Sequence, residues 1–329
     1  MSAPYILDVD TGTDDALALI LAARHPDIDL RAVTCVAGNT SIENVVRNTG
    51  AVLQAIGAPG MPVAGGAERP LLEPHRDADH VHGVNGLAGI DLPASLVPPA
   101  RVHAVELLRQ QLTSSEQPIT LVALGPLTNV ALLLRMYPAA AARIGRIVLM
   151  GGSASVGNAT PVAEFNVWHD PEAAAVVFGT SVPLTMYGLD VFTGLQLTDD
   201  QVANMAGAED PGANLVHRIL TGRPTLVDEG YGLGDAGAVC AAVDPAGMET
   251  ERARVAVECG GVLARGQTIV DRRARPGEAD LRGARFGEYA EVGLAIDVDR
   301  YRELFLRHAC QVESGVHGRR DARAQVRAG

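Results

Sequence analysis

The 329-residue sequence predicts an α/β fold: an open, mostly parallel central sheet with helices on both faces (Rossmann-like) and an elaborated helical C-terminal portion. Two observations predict it. Short continuous Val/Ile/Leu runs alternate with stretches of helix length, the pattern of strands buried on both faces. Glycines and polar residues fall directly after those runs, at the strand ends where such sheets bind ligands.

In chain order, Tyr5–Val9 reads as a strand running into Asp10. The apolar run behind Asp14 makes Asp14–Arg24 a helix, with acids suited to its N-terminus. Leu30–Ala37 is the second strand, ending at Gly38-Asn39, and Ser41–Ile56 the second helix. Met61–Ala64 is a short strand and Val102–Thr113 a helix. Ile119–Leu124 is a strand closed by Gly125-Pro126, with a helix over Leu127–Arg135. Arg146–Met150 is a strand closed by Gly151-Gly152-Ser153. Asp170-Pro171 starts the helix Pro171–Gly179, and Val182–Tyr187 is the sixth strand. Helices at Asp199–Ala206, Pro211–Thr221 and Ala238–Val243 then dominate, before late strands at Val255–Cys259 and Val292–Val298 and a closing helix at Arg300–Ala309. No linker or repeat divides the chain, so residues 1–311 read as one domain. The polar, Arg-rich segment 312–329 reads as a disordered tail.

Composition narrows the function classes. A net charge of −12 argues against nucleic-acid and anionic-membrane partners. No apolar stretch is long enough to span a membrane, and the N-terminus has no basic leader, so a cytoplasmic location is expected. All 27 basic residues are arginine, which removes lysine Schiff-base and P-loop chemistry. The four cysteines have no C-x-x-C spacing, which disfavours a zinc site or redox motif, and Cys35 and Cys240, in apolar runs, read as core residues.

Asp8, Asp10, Asp14 and Asp15 crowd around Gly12, with no basic residue before Arg24. Burying such like charges costs several kcal/mol per ion without a counter-charge, so a hard cation such as Ca²⁺ is the economical explanation. The bland alternative is a solvated loop capping a helix. Asn39 caps the next helix or points into a site. His80 and His82 have strand spacing, but imidazole is a softer ligand than an acidic site wants. Asn158, Glu164 and Asn166, interleaved with Phe165 and Trp168, suit a polyhydroxylated ligand beside an apolar wall, although Trp168 also reads as core. Asp235 alone reads as a helix cap.

Together the D-V-D-T-G-T-D-D, A-G-N, H-V-H-G, G-P-L-T-N-V-A, V-L-M-G-G and G-N-A-T-P-V-A-E-F-N-V-W-H-D-P-E-A-A stretches resemble the inosine–uridine-type nucleoside hydrolases, which are ribonucleoside N-glycosidases. The likeness runs over roughly residues 5–310. It implies one Ca²⁺ held by Asp10, Asp15, Asp235 and the backbone carbonyl of Leu124. It assigns ribose hydroxyls to Asp14, Asn39, Asn158, Glu164 and Asn166, and the sugar and base pocket to His82, Met150, Phe165, Tyr231 and Trp168. It implies that Asp10 is the general base, that a ribonucleoside is the substrate and that the chain is a homodimer or homotetramer. One position departs. Where that family carries a histidine immediately before the last metal-binding Asp, this chain has Gly234, so leaving-group activation falls to His82, Tyr231 or His80. That departure keeps open a non-catalytic ribose- or nucleoside-binding relative. A strand with Asp8-x-Asp10 also opens the haloacid-dehalogenase-type phosphatases, but Gly12 and the absence of lysine disfavour that reading.

Overall fold

A computed structural model describes residues 2–222, 230–275, 277, 280 and 286–312. Among them lie strands β1 (Ala3–Val9), β2 (Ile28–Cys35), β3 (Val63–Gly65), β4 (Ile119–Ala123), β5 (Ile144–Met150), β6 (Leu184–Tyr187), β7 (Gln196–Leu197), β8 (Tyr231–Gly232), β9 (Met248–Val257), β10 (Thr268–Asp271) and β11 (Glu288–Ile296). Nine of them make one sheet in the order β10-β9-β11-β6-β5-β4-β1-β2-β3, and β7 pairs with β8 as a separate ribbon. From β11 through β3 every neighbour is parallel, whereas β9 runs antiparallel to both β10 and β11. The predicted α/β architecture is the observed one.

The helices are α1 (Thr13–Arg24), α2 (Ile42–Ala55), α3 (Asp79–His82), α4 (Ala104–Ser114), α5 (Thr128–Met136), α6 (Pro138–Ala141), α7 (Phe165–His169), α8 (Pro171–Phe178), α9 (Leu189–Phe192), α10 (Asp199–Ala203), α11 (Pro211–Gly222), α12 (Ala236–Val243) and a closing helix at Val298–Ala309. Alternation along β1 sorts them into two layers. Tyr5, Leu7 and Val9 pack with α1, α2, α11, α12 and the closing helix. Ile6 points the other way, into a core built with α4, α5 and α8.

The C-terminal portion is less purely helical than the sequence suggests. The strand predicted over Val255–Cys259 begins seven residues earlier, at Met248, and β10 has no counterpart in the sequence reading. The first half of β9 is half-exposed and charged, so it lacks the apolar run that marks a buried strand. The last strand stops at Ile296, because Asp297 turns the chain and accepts the Arg300 N–H to cap the closing helix. Of the predicted tail, residues 313–329 lie outside the described residues.

Parallel pairing puts the carboxyl ends of β1, β2, β4, β5 and β6 along one edge. Asp10, Leu124, Gly151 and Gly188 follow their strands directly and Gly38-Asn39 follows β2 after Val36-Ala37, so the polar punctuation converges there.

Candidate active site

The carboxylates gather at that edge and are buried. Asp10 Oδ2 accepts the Asn39 N–H at 2.7 Å, while Asp10 Oδ1 has no hydrogen-bond partner among the described residues. Asp15 folds back under the loop. Its Oδ1 accepts the Asp10 N–H at 3.1 Å, and its Oδ2 accepts the Gly12 N–H at 2.9 Å and Asn39 Nδ2 at 3.1 Å. Two glycines make room for Asp10. A Cβ on Gly38 would overlap Asp10 Oδ2, and one on Gly125 would stand 2.8 Å from Oδ1. Asp14, Asp15 and Asp235 each bring an oxygen within 4.8 Å of the others. Asp10 is not one of those three, but the charges of Asp14 and Asp15 are felt at it and its own at Asp235. Asp235 begins α12 without using its side chain as a cap, which frees the carboxylate for the site. Asn39 likewise points into the site, and Ser41 caps α2 instead.

Burial is the largest influence on these acids and like charge adds to it. Asp10, Asp15 and Asp235 are all pushed well above the usual carboxylate range. Among the described residues no arginine pairs with Asp10, Asp14, Asp15 or Asp235; the nearest cationic candidate is His82, whose Nδ1 lies 3.7 Å from Asp14 Oδ1. The ionised cluster therefore calls for a positive charge that its described surroundings do not supply. A cluster of buried carboxylate oxygens, one of them without a partner, fits a hard divalent cation. Asp8 serves differently. Its Oδ1 accepts Thr34 Oγ1 at 2.6 Å and Asn129 Nδ2 at 2.9 Å, tying β1 to its neighbours, and burial raises its pKa to about 6.

The polyol candidates are placed unevenly. Glu164 is buried and caps α7: its Oε1 accepts the Asn166 N–H, and its Oε2 accepts those of Gly152 and Val167. Burial nevertheless lifts it to about 7, and its charge is felt at Asp235. Asn166 Nδ2 donates to the carbonyls of Leu124 (2.7 Å) and Met150 (3.2 Å), so the Leu124 carbonyl already accepts one bond. Asn158 is exposed, and its Oδ1 accepts the Phe165 N–H at 2.9 Å.

On the base side, His82 is buried while His80 is exposed. Both lie on the helical turn α3, so they do not share a face as strand spacing would require. His82 Nδ1 accepts from the Thr13 N–H at 3.3 Å and meets Thr13 Oγ1 at 3.0 Å, which leaves the proton of the neutral ring on Nε2. Trp168 is half-buried under the Arg76 guanidinium, 4.6 Å from the ring centre. Tyr231 pairs with Leu197 and packs on the core. Gly234 sits at φ +52°, in the left-handed region that favours glycine. Sequence reasoning missed Thr13, which lay unmarked inside the acidic run, and Phe192, beside Gly234. The strand-end rule, extended to β6, points at the second.

A family profile described as "Inosine-uridine preferring nucleoside hydrolase" matches residues 5–303. The chain is 41% identical over 293 residues to the pyrimidine-specific ribonucleoside hydrolase RihA of Shewanella sp. (strain MR-7), covering 87% of this chain and 92% of that one. It is 40% identical over 277 residues to RihA of Salmonella agona, covering 82% and 89%. Among solved structures, an inosine-guanosine nucleoside hydrolase superposes with a TM-score of 0.84 at 28% identity, covering 93% of this chain and 98% of that one. A purine-preferring ribonucleoside hydrolase from Gardnerella vaginalis gives 0.83 at 28% identity, covering 94% and 98%.

Proposed function

Because this chain belongs to the inosine-uridine preferring nucleoside hydrolase family, and so is a hydrolase of N-glycosidic bonds, we propose that it cleaves ribonucleosides to ribose and free base with Ca²⁺ as its metal. The observation that carries this reading is the carboxylate cluster with no arginine partner among the described residues, set beside amides at the carboxyl edge of the parallel strands. Asp10, Asp15, Asp235 and the Leu124 carbonyl would hold the ion. When bound, Ca²⁺ supplies positive charge that acidifies a water and orients sugar hydroxyls. Asp10 accepts the proton of the attacking water; its partnerless Oδ1 is the atom free to do so. Asp14, Asn39, Asn158, Glu164 and Asn166 hold the ribose hydroxyls, and this set favours the flattened, cationic sugar of the transition state. His82, with its neutral-ring proton on Nε2, is the candidate acid for the leaving base, and Met150, Phe165, Trp168 and Tyr231 shape the pocket. A cytoplasmic homodimer or homotetramer completes the reading; light scattering tests the assembly.

The relatives' names make uridine and cytidine the first substrates to assay, with inosine and guanosine beside them. The experiment measures ribose release from each, with and without a chelator. Asp10→Asn should lower kcat by about 10²–10⁴-fold with an unchanged circular-dichroism spectrum. Near-wild-type turnover in that variant refutes the assignment. Calorimetric binding of nucleosides without base release would instead support the non-catalytic reading.

A further inference from the structure

Phe192 ends α9, the short helix that starts just beyond β6 at the same sheet edge as Asp10, Asn39 and Leu124. Its ring is half-buried, packed in part against the larger core layer. Gly234 locates the rest. A Cβ on Gly234 would lie 2.7 Å from Asp14 Cβ, 3.1 Å from Asp14 Oδ2 and 3.1 Å from Phe192 Cζ. The tip of the ring and one oxygen of Asp14 therefore flank the same point, immediately before Asp235. The other oxygen of Asp14 faces His82 Nδ1 at 3.7 Å. Asp14 thus stands between an imidazole and a phenyl ring. A side chain at position 234 could enter only by displacing the Cβ of Asp14, which is anchored in α1, so the glycine is what allows the ring and the Asp14 carboxylate to come this close.

The ring has no polar atom and cannot satisfy a sugar hydroxyl. What it offers beside a sugar-binding carboxylate is a flat apolar face. Trp168 is less available for that purpose, since the Arg76 guanidinium already lies over it. We infer that Phe192 is a specificity-determining residue whose ring packs against the nucleobase of the bound ribonucleoside. This rests on the ribonucleoside reading given above.

The test compares two inhibitors: an iminoribitol that mimics the ribose alone, and the same compound carrying a phenyl group at the anomeric carbon. The phenyl group stands for the base. Phe192→Leu keeps apolar bulk and removes the flat face. It should reduce the affinity gained from the phenyl group by about tenfold, the size of one base–aromatic stack, and leave the bare iminoribitol constant within about twofold. Phe192→Tyr should keep the gain. If the leucine variant does not fold, Phe192→Met, which packs flexibly, carries the same expectation. Full retention of the phenyl gain in a folded variant overturns the inference, and so does parallel weakening of both inhibitors, which marks a purely structural ring. A wild-type protein that binds neither inhibitor and releases no ribose overturns the hydrolase reading itself.

Discussion

Gly38→Ala is a one-methyl test of how the site is held. The new Cβ would overlap Asp10 Oδ2 and stand 2.7 Å from Cδ of Pro126, so neither neighbour can ignore it. Gly38 is not at a positive φ, so the effect is spatial rather than conformational. The Asp10 carboxylate must turn away and lose the Asn39 N–H bond at 2.7 Å. A hydrogen bond to a charged group is worth about 1.5–3 kcal/mol, and the buried N–H left behind costs about 1–3 kcal/mol more. A stability loss of roughly 2–4 kcal/mol follows, allowing for partial relaxation. Displacing Asp10, the proposed base, should be the larger effect, since a misplacement of about 1 Å costs on the order of 100-fold in rate. Gly60→Ala is the control, because nothing lies within 4 Å of the added methyl and its φ is ordinary. Thermal denaturation and ribose release are measured on both variants. Wild-type kcat/KM and Tm in Gly38→Ala, or equal losses in both variants, would refute the argument.

Metal removal should lower Tm, because the carboxylates then repel in a dry environment. Restoring Ca²⁺ to 100 times its Kd should return about 2.7 kcal/mol; a Tm indifferent to chelator and Ca²⁺ would mean that no cation binds here. His169 supplies a pH prediction. Burial, with the nearby His75 and Arg76 adding to it, lowers its pKa from 6.5 to about 3, so below pH 6.5 the unfolded chain binds a proton that the folded one does not. Its contribution is complete above pH 6.5 and is lost as pH falls toward 3, on the order of 4–5 kcal/mol in all. His169→Leu should flatten denaturant-derived stability over that window; an unchanged slope refutes it.

The features most legible in the sequence were those whose signal is local. The four N-terminal aspartates fall between positions 8 and 15, and strand ends carry their own glycine punctuation, so the sheet edge and its acidic loop are legible directly. Whatever depends on distant partners was harder to read. Nothing adjacent to Glu164 reveals that, besides capping α7 through two backbone N–H groups, it also accepts the N–H of Gly152 after β5, nor that Asn158 is spent on the Phe165 N–H. β10 stayed hidden because an edge strand needs pairing on one side only and has no long apolar run. The His80/His82 spacing misled because α3 is a single helical turn, too short to show a 3.6-residue period. Phe192 looks like any core aromatic until Gly234, far along the chain, is brought against it.

The carboxylate cluster also has a kinetic meaning. Asp14 and Asp15 belong to the first turn of the first helix, whereas Asp235 arrives from α12, more than two-thirds of the way along the chain. Contacts between such distant parts of the chain carry a loop-closure cost that local contacts do not, so the cluster is expected to complete after the sheet between them. A nascent chain therefore carries the N-terminal acids long before it owns a complete cation site. A cation that binds only the finished site should therefore slow unfolding more than it speeds folding, and unfolding rates measured with and without Ca²⁺ test this.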